Sequence, residues 1–375
     1  MKINKNNILE VMFYIGMFLI QFAIFAQNTY NVSRYMNFLN LIAIAILLFD
    51  SILVLIKLKA SRKSWFLVLL LISLAFCCYI KTGDSSLVVL CLTSIASLNL
   101  DFKKIIKVDI IFKIALFIFI YFAYSTGNIN KVYFVRDGII RIAYGFNHPN
   151  TLGYFLLVSF FETIYLISDK INIKKVLVVF LLSAIVFYFT NKAGSRTSIQ
   201  CLTIFLILFI LKYLFDKFVK FRKKKSNVVL YLMFLAFTLV SFVCTIMYKN
   251  NNSLMIYINE LLSDRLYLQN MFVSLYDINL FGNKINYFST LDNAYIRIVL
   301  NYGIFGWILY YYIFNLNFKF SRKDENSSYL TIILFVLLIY GVMEFYIIRP
   351  ALNIFLIYFS TKILNDERKK IDEKC

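Results

Sequence analysis

The sequence predicts an all-α, polytopic integral membrane protein, and three observations carry that prediction. The 375-residue chain is 61% hydrophobic and only 16% charged, with a mean hydropathy of +0.74, outside the range of ordinary globular domains. Apolar stretches of about 15–23 residues recur from end to end, most of them long enough to cross roughly 30 Å of hydrocarbon. Lysine and arginine gather in every second connection between those stretches. Backbone N–H and C=O groups cannot go unpaired in lipid, so the stretches must be helices.

Twelve stretches meet the description: about 9–27, 36–56, 64–80, 85–100, 108–125, 150–168, 176–190, 198–216, 227–248, 294–316, 329–346 and 350–365. Together they form a single transmembrane domain, 1–375. The first follows Lys2 and Lys5 and is too long for the apolar core of a signal peptide, so it is expected to be retained.

Alternating the connections from a cytoplasmic N-terminus puts the basic clusters inside. Among them are Lys57, Lys59, Arg62 and Lys63; Lys103, Lys104 and Lys107; and the run "KFVKFRKKK" at 217–225. The inner segments hold more than twice as many lysines and arginines as the outer ones, so both termini are expected in the cytoplasm. The net charge of +20 is therefore a topology signal at an anionic leaflet. A lipid bilayer is the expected partner, and nucleic acid is not. Lys113 falls deeper within a span, about 8 Å from its helix's inner end, and is expected to snorkel.

Cys77, Cys78, Cys91, Cys201 and Cys244 all lie within apolar stretches, and Cys375 lies past the last of them. That pattern predicts neither a disulfide framework nor a Cys/His metal cluster, and no metal or other cofactor is expected. No repeat relates the two halves, and Pro or Gly rarely interrupts a span, which argues against a transporter built from broken helices.

Polar chemistry concentrates on the outer face. The two long connections, 126–149 and 249–293, are both outer loops, and connections of that length are usually functional. The outer face holds Arg136, Asp137, Arg141, His148, Arg196, Glu260, Asp264, Arg265, Asp277 and Asp292, with Glu344 and Arg349 beside them. Guanidinium groups grip phosphate bidentately and a carboxylate can activate a hydroxyl, so this set suits a polyanionic, lipid-linked substrate.

Within "YGFNHPNTLGY" (144–154), Pro149 fits the first turn of a helix, where its missing N–H would be unpaired anyway. Asn147 or His148 can cap that helix, and Asn150 can bond loop backbone. His148, the single histidine, is read as a structural or substrate-contacting residue rather than the base. Arg196, in Gly194-Ser195-Arg196-Thr197, is either a snorkelling anchor or a phosphate contact. The segment "SLMIYINELLSDRLYLQNMFVSLY" (253–276) has apolar residues at helical spacing and predicts one interfacial helix. Asp264 and Arg265 are then either its wet face or a contact with substrate.

Four segments, in order, carry a resemblance: "RIAYGFNHPNTLG" (141–153), "TNKAGSRTS" (190–198), "LLSDRLYLQ" (261–269) and "LDNAYIRIVLNYGIFG" (291–306). Together they resemble the Wzy-type polysaccharide polymerase and O-antigen ligase superfamily, membrane glycosyltransferases that use polyprenyl-diphosphate-linked sugars. The likeness spans roughly residues 130–306, whereas the first five spans match only in being hydrophobic.

The resemblance implies a GT-C-like fold and glycosyl transfer at the outer leaflet of a bacterial cytoplasmic membrane. In ligase members a catalytic histidine opens a His-Asn-x-Tyr/Leu…Gly-x-x-Gly pattern. Here that pattern reads Asp292-Asn293-Ala294-Tyr295…Gly303-Ile304-Phe305-Gly306, so Asp292 takes the histidine's place and becomes the expected base. Asn293 would orient it, and Tyr295, Tyr144 and Tyr287 could contact sugar. Arg196, Arg265 and Arg141 would bind the substrate diphosphate. Arg141 precedes Gly153 by 11 intervening residues, resembling a loop element of some polymerases in which an arginine precedes a glycine by roughly ten residues.

The implied function is polymerisation of a capsular or exopolysaccharide from undecaprenyl-diphosphate-linked repeat units. A flippase and a chain-length regulator would be its partners. The alternatives are an O-antigen-ligase-type glycan ligase, and a flippase or transporter of lipid-linked oligosaccharide. Aspartate in place of histidine favours the polymerase, and the long outer loop disfavours the flippase.

Overall fold

A computed structural model describes residues 5–25, 35–59, 61–129, 133–136, 138–169, 171–218, 228–285, 290–323 and 328–364. Its architecture is a bundle of helices. The first half comprises α1 (Lys5–Phe25), α2 (Met36–Lys57), α3 (Arg62–Thr82), α4 (Ser86–Ala96) and α5 (Phe102–Ser125). After a short hairpin come α6 (Pro149–Ile167), α7 (Ile173–Lys192), α8 (Arg196–Phe218) and α9 (Val228–Lys249). The long connection after α9 carries α10 (Ser253–Leu261) and α11 (Arg265–Leu275). The chain closes with α12 (Ala294–Arg297), α13 (Gly303–Lys323), α14 (Ser328–Met343) and α15 (Ile354–Leu364).

Eight of these helical segments are long and apolar enough to cross a membrane. They are α1, α2, α3, α6, α7, α8, α9 and the continuous stretch Ala294–Arg322. Helices α4, α14 and α15 are apolar but shorter, and the 24-residue α5 carries Lys103, Lys104, Lys107, Asp109 and Lys113. Every one of the twelve apolar stretches thus contains a helix, while eight meet the demands of a span.

Burial sorts the helices into centre and rim. In α6, 72% of the apolar window is buried, and in Ala294–Arg322 the share is 61%, against 17% in α3 and 22% in α9. The rim helices present Phe66, Leu69, Leu177, Leu181, Phe215 and Val243 outward, as helices facing hydrocarbon must. Side-chain caps set several helix starts: Ser61 accepts from Ser64 N, Asn172 from Lys175 N, and Asn252 from the amides of Leu254 and Met255.

Four features depart from the sequence reading. First, the 126–149 loop contains an antiparallel hairpin, β1 (Tyr133–Arg136) paired with β2 (Ile139–Ile142), with Phe134 opposite Arg141. Second, 253–276 is two helices rather than one. Ser263 and Asp264 are left-handed at the break, and the Asn259 side chain bonds both Asp264 Oδ1 (2.9 Å) and Tyr267 N (2.9 Å). Those bonds replace the helix ladder.

Third, the span that begins at Ala294 is interrupted. A π-helical turn (Ile298–Tyr302) leads to Gly303 at φ +72°, and the amides of Ile304 and Phe305 bond the carbonyls of Asn279 and Leu280 instead of their own helix. Gly282, at φ +79°, lies against Asn301 and Tyr302 so closely that a β-carbon would strike their backbone. The long connection after α9 is thereby stitched into the bundle.

Fourth, Lys113 does not snorkel. It is buried, pairing with Asp109 at 2.7 Å and with Glu162 of α6, while Gln21 of α1 bonds Asp109. A partner on two sides holds the ammonium inside the bundle, where reaching the interface would leave both carboxylates alone.

Candidate functional site

The polar residues of the two long connections converge at the bundle end where α6 and α8 begin, opposite the starts of α5 and α7 that carry Lys103, Lys104, Lys174 and Lys175. Local structure places each residue. His148 is the N-cap of α6: its backbone is extended, and its Nδ1 accepts from Asn150 N at 3.1 Å. Pro149 occupies the first helical turn. Gly153, one turn into α6, lies where a β-carbon would collide with the hydroxyls of Ser195 and Ser198, so its bareness lets the starts of α6 and α8 meet. Asn150 then projects from the first turn of α6 between Arg141 and Glu344.

The hairpin delivers two arginines to the same place. Arg141 Nη2 donates to Asn150 Oδ1 at 2.8 Å, and its Nε donates to Ala193 O at 3.2 Å. Arg136 Nη2 donates to Gly194 O at 3.0 Å. The hairpin is thus pinned onto the turn between α7 and α8. Arg196 opens α8 beside that turn and is exposed.

The second half supplies the carboxylates. Asn293 caps α12, accepting from the amides of Tyr295 and Ile296, while its amide donates to Ser241 Oγ and Val342 O. Asp292 stands immediately before that cap. Arg265, first residue of α11, reaches Asp292 Oδ2 at 3.5 Å and Glu344 Oε1 at 2.6 Å. Asn150 Nδ2 also donates to Glu344 Oε1, at 2.6 Å. A continuous polar chain therefore runs Arg141–Asn150–Glu344–Arg265–Asp292, drawing on the hairpin, α6, the end of α14, α11 and the start of α12.

Electrostatics follow from burial and that crowding. Burial pushes Glu344 up to about 7, against the opposing pull of Arg265. Burial likewise raises Asp292, with Arg265, a hydrogen bond from Thr290 and Arg297 pulling the other way. Burial and the Arg136 charge bring Arg141 down to about 10, while Glu344 opposes; Arg196 and Arg265 add to the repulsion. Arg265, between two carboxylates, is held above its usual range despite burial. His148 is pushed down to about 4 by burial and by Arg141, Arg265 and Arg136, which keeps it neutral and its Nδ1 free to cap.

The two carboxylates are not equivalent. The Glu344 side chain is 1% exposed and Asp292 18%, so Asp292 is the one a substrate can reach. Arg141 is mainly a buried strut, committed to Ala193 and Asn150. Arg196 and Arg265 stay closer to solvent.

Tyr295 lies elsewhere: fully enclosed, it stacks near Phe237, meets Phe234 edge-on and donates to Leu338 O at 2.6 Å, so its surroundings are those of a packing residue. Tyr144 joins an aromatic group with Tyr121, Tyr124 and Phe189. Tyr287 and Asp137 lie outside the described residues.

The sequence placed Glu344 beside the polar set but gave it no role, since its signal was a lone acid at the end of an otherwise apolar stretch. No family model matches the chain, and neither a curated protein nor a solved structure matches it.

Proposed function

We propose that the chain is a surface polysaccharide polymerase that transfers glycan between undecaprenyl-diphosphate-linked repeat units at the outer leaflet of a bacterial membrane. In this reading the bundle crosses the membrane twelve times in a GT-C-like arrangement, with both termini in the cytoplasm. The observation that carries it is Arg265, one guanidinium shared by an accessible carboxylate, Asp292, and a buried one, Glu344.

In the reaction, Asp292 takes the proton from an acceptor sugar hydroxyl. The freed oxygen forms a bond to the anomeric carbon of the donor chain, and the bond from that carbon to the diphosphate oxygen breaks. The departing diphosphate carries the electron pair, and Arg265 and Arg196 stabilise its charge. Glu344 holds Arg265 and Asn150 in register, and Arg141 braces Asn150 from the other side. The segments 141–153, 190–198, 261–269 and 291–306, which carry the resemblance to the polymerase and ligase superfamily, each contribute a group to this cluster.

The test is the glycan profile of a strain lacking the gene. Single repeat units left on lipid at the outer face support the reading. Long chains that never reach their final acceptor would mean a ligase, and accumulation on the cytoplasmic side would mean a flippase.

A further inference from the structure

A cavity of about 300 Å³ lies beside the Asp292 cluster, past the 3-10 turn Phe345–Ile348. Its walls come from the outer ends of α1 and α2, the turn between α3 and α4, α12, the turn before α13, and Arg349–Ala351. Arg297, Arg349 and Asp84 bring charge to it, and Asn40, Ser86 and Asn301 bring amides and a hydroxyl. Its volume falls at the lower end of small-molecule sites.

The charges are arranged for an anion. Both guanidiniums lie over the Phe345 ring, at 3.8 Å for Arg297 and 4.8 Å for Arg349, and stacking fixes the planes of their donor forks. Arg297 Nη2 is 4.0 Å from Asp84 Oδ2. Burial alone would raise Asp84, but Arg349, Arg297 and the hydrogen bonds from Ser86 outweigh it and hold the carboxyl below its usual range. One carboxylate faces two arginines, so positive charge remains in surplus. Arg349 Nε is buried and has no hydrogen-bond acceptor among the described residues. Arg297 also acts electrostatically on Asp292, so the cavity's charge is felt at the Arg265 cluster.

We infer that this cavity is a second diphosphate-binding subsite, separate from the one at Arg265, and that it seats the other lipid-linked substrate of the transfer. The second half of that statement rests on the polymerase reading. A reaction joining two lipid-linked chains needs two diphosphate seats, and this cavity supplies one apart from the Arg265 cluster.

The test is native mass spectrometry of the purified full chain in detergent, with farnesyl diphosphate as probe. The wild type should hold two probes per chain, and Arg349→Gln should hold one. Ser85→Trp, which fills the cavity without altering a charge, should also hold one, while Arg265→Gln keeps the cavity's probe. A wild type that binds one probe overturns the assignment, as does a count of two in both cavity variants. Displacement of the cavity's probe by inorganic pyrophosphate or phosphatidylglycerol as readily as by farnesyl diphosphate would contradict a polyprenyl-linked occupant. Polymer formation from lipid-linked repeat units is measured in parallel. Two bound probes without any polymer would remove the polymerase reading and leave the second subsite standing.

Discussion

Arg265 Nη2 donates to Glu344 Oε1 at 2.6 Å, a contact between the start of α11 and the end of α14 across 79 residues of sequence. One guanidinium thus ties loop to bundle and sets the charge state of the site at the same time.

The first prediction follows from the sign of that coupling. Glu344 is pushed up to about 7 and Asp292 is also raised, and Arg265 works against both shifts. Activity that needs an ionised carboxylate must rise with pH through the apparent pKa of the pair. Arg265→Gln removes the cation that favours ionisation, so the acid limb of the pH–rate profile should move to higher pH. The residual polymer formed by the variant, followed across neutral pH, checks this. A limb that stays put or moves to lower pH contradicts the coupling.

His148 should behave as a cap. Its Nδ1 bonds Asn150 N, and its ring meets Phe134 of the hairpin edge-on at 4.9 Å. His148→Asn keeps a strong capping side chain and should retain measurable polymer formation. His148→Ala should lower stability by about 1 kcal/mol, read as a lower thermal midpoint in detergent. An inactive but normally folded His148→Asn would return the histidine to the chemistry.

Much of this fold was legible because apolar length is a local signal: each of the twelve stretches contains a helix, and Pro149 marked the start of α6. The hairpin was missed although "VYFVRDGIIRI" (132–142) sets β-branched and aromatic residues on both sides of an Asp-Gly pair. The break between α10 and α11 depends on where one side chain, Asn259, bonds, which periodicity does not report. Glu344 gains its role only when folding brings Asn150 and Arg265 to it, from 194 and 79 residues away. The loop's insertion at Gly303 is likewise a tertiary event.

The buried charges of α5 and α6 should show an ordering. Lys113 sits between Asp109 and Glu162, so the group has one more acid than base. Lys113→Met leaves both carboxylates uncompensated and should lower stability by about 3–5 kcal/mol. Glu162→Gln leaves the Lys113–Asp109 pair intact and should be the milder change. Detergent-solubilised yield and thermal midpoint measure both; the reverse order contradicts the buried pairing.

The orientation is open to a direct check. Asn250, exposed just past the end of α9, opens the long connection that carries α10 and α11. In a cysteine-free background, Asn250→Cys should react with an impermeant thiol reagent in intact cells. Labelling that appears only after permeabilisation would place the Asp292 cluster on the cytoplasmic face.

The most direct test of the central claim is polymer formed by Asp292→Asn from purified lipid-linked repeat units, with expression matched to wild type. Asparagine keeps the size of the side chain at the end of Arg265's reach but removes the proton acceptor. The account predicts a loss of about 10²-fold or more, with the variant still folded and still binding farnesyl diphosphate. Wild-type polymer from Asp292→Asn would contradict the assignment of Asp292 as the base.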